Sequence, residues 1–149
     1  MIDRASRRTV GELLRHLAAG QITNDQFEDR LPRDSADAAV AEIRQQAWFL
    51  YSDLREYRFV GRDRLSNKHR REVSRRILFL QSDLEYEWPR TSTITAALLF
   101  IANLCTLGWA GRVSAARFKR HGDVDVWPFI RRPQYDAALG EPKYFRGAV

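Results

Sequence analysis

From Thr91 to Gly111 the chain runs 21 residues without a charged side chain, in a sequence that is 30% charged overall. Such a segment has to leave water, into the interior of the protein or into lipid. Its apolar part, Ile94 to Ala110, is at the short end of the roughly 17–25 residues that span a bilayer. Trp88 and Trp109 fall where interfacial aromatics would sit, and Arg112, Arg117, Lys119 and Arg120 would hold the following chain in the cytoplasm. Three features oppose lipid. Asn103 would lie in hydrocarbon, where an unpaired amide is costly. Thr95, Cys105, Thr106 and Gly108 dilute the run. Export of the patterned residues before it would need a targeting segment, and Met1 to Arg8 is polar with no apolar stretch behind it. The expectation is therefore a central helix buried by other helices, with Leu98, Phe100, Ile101, Leu104 and Leu107 covered from within the chain. A membrane-associated accessory protein anchored by residues 94–110 is the alternative.

The rest of the chain supplies helices that could cover it. A length of 149 residues fits a single domain spanning 1–149. Thr9 and Glu12 have capping-box spacing ahead of a helix over 10–19, whose face is Val10, Leu13, Leu14 and Leu17, with Gly20 as its stop. Thr23 and Gln26 repeat the spacing, with Ile22 and Phe27 as a hydrophobic staple and Pro32 as the end. A long third helix is expected from about Ser35 to Tyr57, on the stripe Val40, Ile43, Ala47, Leu50, Leu54 and Tyr57. Ser66 caps a fourth, 67–84, with Val73, Ile77, Leu80 and Leu84 inward and Trp88-Pro89 closing it. Asp123 to Trp127 alternates like a short extended piece, and Pro133 suits the first turn of a last helix through Leu139. The fold expected is mainly α, a compact bundle of about five to six helices with a short irregular C-terminal region.

Charge is unevenly spread. Residues 1–57 carry 8 basic and 10 acidic side chains, residues 58–90 carry 9 and 5, and residues 91–149 carry 8 and 4, for a net +6. The densest positive face is Arg62–Arg76, where Arg70, Arg71, Arg75 and Arg76 are expected on the side of the fourth helix opposite its apolar stripe. That face is a candidate anion- or partner-binding surface, and nucleic acid is one ligand such a face could take. It lacks the interleaved aromatics of a single-strand platform, and charge runs are usually solvated. Glu85 and Glu87 flank Tyr86 beside Trp88, a polar cluster that could do acid–base work or simply pair with Arg75, Arg76 or Arg90. Asp53 and Asp83 occupy matching places in an echo of Phe49–Leu54 by Phe79–Leu84, but consecutive helices would hold them far apart. His16, His69 and His121 have no His or Cys at ligand spacing; Asp123 and Asp125 beside His121 read as a solvated turn. Cys105, the sole cysteine, lies in apolar surroundings that blunt a thiol, and it excludes an intrachain disulfide. No phosphate-cradling glycine loop is present. The pattern points away from an enzyme and to no cofactor, and an intracellular location is the default expectation.

Four runs carry a resemblance: Gly20-Gln-Ile-Thr-Asn-Asp-Gln-Phe-Glu-Asp29, Trp48–Arg55, Ile77–Pro89 and Val126-Trp-Pro-Phe129. Together they resemble a family of uncharacterised bacterial proteins. The resemblance implies a bacterial origin and one domain, and attaches no activity. The Gly-x-Ile-Thr-x-x-x-Phe piece on its own is similar to the opening of colicin-type immunity proteins. The net charge departs from that pattern, because immunity proteins against basic nucleases are usually acidic. The function expected is a protein–protein interaction module, in a bacterial conflict or regulatory setting.

Overall fold

Helix α1 spans Arg4–Ala18 and is capped by Asp3, whose carboxylate accepts from the Ser6 amide. The chain thus enters the helix earlier than the Thr9–Glu12 spacing suggests, and the Thr9 hydroxyl instead donates back to the Ala5 carbonyl. Its end is as expected. Gly20 is left-handed at φ 69°, and its amide and that of Gln21 donate to Leu17 and His16 carbonyls, both at 2.9 Å, a Schellman closure. Any side chain there would also meet Val60, since a Cβ on Gly20 would lie 2.6 Å from its Cγ1. The computed structural model describes residues 1–89, 116 and 120–140. The uncharged segment, with Cys105, Asn103 and the five residues expected to be covered there, lies outside the described residues. Among the described residues no helix is long and apolar enough to cross a membrane.

Helix α2, Asn24–Arg30, has the full Thr23–Gln26 capping box. Helix α3 is Ala38–Ala47, capped by Asp37, followed by a single 3₁₀ turn at Trp48–Leu50. It ends ten residues before Tyr57, which corrects the long-helix expectation. The cause is non-local: backbone groups of 52–57 bond to the Asn24 side chain and the Tyr57 hydroxyl instead of to a preceding helical turn. Leu54, expected in the core, is 95% exposed. Helix α4, Asn67–Gln81, starts at the Ser66 cap as expected. Asp123–Trp127 is not extended: the Asp123 carboxylate accepts from the Asp125 amide and folds Val124–Val126 into a 3₁₀ turn. Helix α5, Arg132–Gly140, follows.

The molecule is mainly helical, with no strand among the described residues. Its central pairing is α1 on α4, with α2 and α3 against α1 and α5 against α4. Val10, Leu14 and Leu17 of α1, Phe27 of α2, Val40 and Ile43 of α3, and Val73, Phe79 and Leu80 of α4 share one apolar core. Each such side chain contributes about 1.5–3 kcal/mol on leaving water. The start of α1 lies on the end of α4: the Met1 amine is 3.1 Å from Glu85 and Arg4 is 3.1 Å from Asp83. The second carboxylate of the Phe79–Leu84 echo is thus paired with α1, while Asp53 is exposed.

Candidate interaction surfaces

Residues 48–57 form a loop held from below. Asn24 is buried, and its Nδ2 donates to the carbonyls of Ser52 at 3.2 Å and Arg55 at 3.0 Å. Its Oδ1 accepts from the Tyr57 amide at 2.8 Å, and its own amide donates to the Tyr57 carbonyl. The Thr23 hydroxyl donates to Glu56 at 2.7 Å, and Arg55 reaches Asp63 at 2.7 Å while lying over the Tyr57 ring. Tyr51 points inward, edge-on to Phe27. Burial, then its hydrogen bond to Glu28, pushes the phenol well above the ordinary tyrosine value. With its polar groups satisfied from within, the loop turns apolar side chains to water: Trp48 at 55% exposure, Phe49 at 78% and Leu54. The helical stripe expected through Leu54 turns that side chain inward, so the sequence pattern misses this surface. The signal available was three large apolar residues on both sides of Tyr51-Ser52-Asp53, with Asn24 far upstream as the support.

The arginine face is shorter than its sequence pattern. Arg70 and Arg71 are exposed, Arg75 is half-buried, and Arg76 is buried at 7% exposure. Placing all four opposite the apolar stripe is corrected for Arg76, which falls beside Val73 and Leu80 on α4 and is covered by the segment 121–130. Arg75 donates from Nη1 to the Asp125 carbonyl, and the Trp127 ring faces the Arg76 guanidinium at 5.4 Å. The segment is fixed by Trp88, which is buried and donates from its indole nitrogen to the Pro128 and Phe129 carbonyls at 3.0 and 3.3 Å. Gly122 permits the closure, as a Cβ there would lie 2.5 Å from the Ile130 carbonyl oxygen.

Trp88 is therefore a packing residue, and the polar cluster expected around it does not converge. Glu85 pairs with the N-terminal amine, not with Arg75 or Arg76, and Glu87 is exposed. Asp123 pairs with Arg132 at 3.2 Å. Among the described residues no group of three metal-ligating side chains forms. A cavity of about 300 Å³ opens between the end of α4 and α5, lined by Leu78, Gln81, Ser82, Leu84, Gln134 and Ala138. Comparison of the chain with protein-family models, curated proteins and solved structures finds no match.

Proposed function

We propose that this chain is a protein-interaction module that docks its partner through the Trp48–Leu54 loop. The observation that carries this reading is the pairing of three exposed large apolar side chains with a backbone pinned by the buried Asn24. A loop that is already ordered loses little conformational entropy on binding, and exposed aromatic anchors are what protein interfaces use. Apolar side chains gathered on one surface segment mark such sites more often than scattered single ones do. The test is site-specific photocrosslinking in cells, with the reactive group placed at Phe49 and, as a control, at Arg71. A discrete protein adduct from position 49 is expected, absent from position 71 and lost in the Trp48→Ser, Leu54→Ser double variant. Adducts that persist in the double variant, or none from position 49, would overturn it.

A further inference from the structure

Arg76 presents a charge that the fold leaves unanswered. Its Nε and Nη1 are shut off from solvent and have no hydrogen-bond partner among the described residues. The Nε of Arg75, on the next residue, is in the same state. Burial pulls the Arg76 guanidinium below its ordinary value; Glu72, one turn earlier, favours its charge, and Arg75 opposes it. No ion pair within reach joins Glu72 to Arg76 among the described residues. The face of Trp127 offers a weak counterpart through its quadrupole, but an aromatic face accepts no conventional N–H hydrogen bond. Buried charges are paired in native proteins because a desolvated ion without a partner is among the costliest groups a fold can hold. Arg7, the other arginine buried among the described residues, shows what this fold does when the chain itself supplies the acceptors: all three of its nitrogens are bonded.

We propose that Arg76 and Arg75 form a binding site for a phosphate group, free or as a monoester. Two adjacent guanidiniums match a dianion in charge, and three unclaimed donor nitrogens match its several acceptor oxygens. Arg70 and Arg71, exposed on the same helix, add positive potential on the approach. Arg75 and Trp127 beside Arg76 are only half-buried, so rearrangement of these side chains opens the way to the guanidinium without unfolding α4. This site is on α4 and the 121–130 segment, apart from the Trp48–Leu54 loop, and it stands or falls separately from the docking reading.

The experiment is thermal melting of the full chain titrated with inorganic phosphate, and separately with glycerol 3-phosphate, each at ionic strength held constant with chloride. The ¹⁵N-labelled Arg76 Nε–H resonance is followed in parallel. A saturable rise in Tm is expected, roughly 5 °C or more at a hundredfold excess over Kd, together with a shift of the Arg76 signal. The rise should vanish in Arg76→Met, an apolar replacement that preserves the fold, and persist in Arg71→Met. Saturation by both compounds identifies a monoester site, and saturation by inorganic phosphate alone a site for the free ion. No saturable response in the parent, or an equal response in Arg76→Met, would overturn the proposal.

Discussion

Arg7 and Arg76 are both buried, and the protein treats them in opposite ways. Arg7 is 2% exposed and donates from Nε and Nη2 to the two oxygens of Asp37, at 2.6 and 3.2 Å. Its Nη1 donates to the carbonyls of Ser82 and Leu84, both at 2.9 Å, beyond the end of α4. Asp37 in turn caps α3 through the Ala39 amide and accepts from the Asp3 amide at the start of α1. One ion pair thus completes the ends of three helices. Arg76 has a tryptophan face and a second arginine instead. The same functional group, equally enclosed, is a structural clasp at one place and an open valence at the other. Burial alone does not give a charge its role; the acceptors around it do.

The largest effect should come from breaking the clasp. Arg7→Met leaves Asp37 buried and unpaired and strips the two carbonyls beyond α4, at an expected cost of about 3–5 kcal/mol. Urea unfolding measures it, and a loss under 1 kcal/mol would mean the pair is not shielded from water. The same clasp has a pH signature. Burial would raise the Asp37 carboxyl, but hydrogen bonds from Arg7 and the Asp3 and Ala39 amides, with the Arg7 charge, hold it below the ordinary 3.8. Near that value the unfolded chain binds the extra proton, so stability rises with pH. The contribution is complete above the unfolded value and is lost as pH falls through the folded one. Arg7→Met should flatten that acid limb, and an unchanged acid limb would assign it to other carboxylates.

A smaller loss should follow at the satisfied but neutral Asn24. Asn24→Ala orphans the loop carbonyls it serves and should cost about 1–3 kcal/mol, with faster amide exchange at Tyr57 as the local readout. Arg76→Met sharpens the comparison by changing sign. In phosphate-free buffer it should stabilise the protein by about 1 kcal/mol, because no partner is abandoned and the cost of burying the charge disappears. Destabilisation by more than that would place an acceptor at Arg76. The least effect belongs to Leu54→Ser, expected within about 0.5 kcal/mol of the parent since the side chain is in water; a clear drop in Tm would return Leu54 to the core.

The elements that the sequence made legible are those fixed by local chemistry. The Thr23–Gln26 box, the Ser66 cap and the Gly20 stop each involve groups a few residues apart, so spacing alone announces them. The end of α3 was hidden because Asn24 decides it from 28 residues away. Arg7 and Arg76 were half visible. Arg7 falls on the stripe Val10, Leu14, Leu17, and Arg76 on the stripe Val73, Leu80, at helical spacing from core residues. Reading an arginine as solvent-facing by type overrode where the helix places it. What no spacing could supply was what each guanidinium meets, since Asp37 is 30 residues from Arg7 and the Trp127 ring that faces Arg76 comes from a segment beginning after residue 120.

The reach of the Arg7 clasp also sets a timetable for synthesis. Its last acceptor, the Leu84 carbonyl, lies 77 residues downstream. At roughly 5–20 residues per second a ribosome takes about 4–15 s to supply it. Once Asp37 has been made, α1 can recruit it but not the finished end of α4, so Val10, Leu14 and Leu17 wait with the part of their cover that α4 supplies still incomplete. A nascent chain stalled anywhere before Leu84 carries an unfinished helix pair and an arginine short of its acceptors. The first native-like state of this protein is therefore one that already includes the end of α4, and synthesis, not helix formation, determines how soon it arrives.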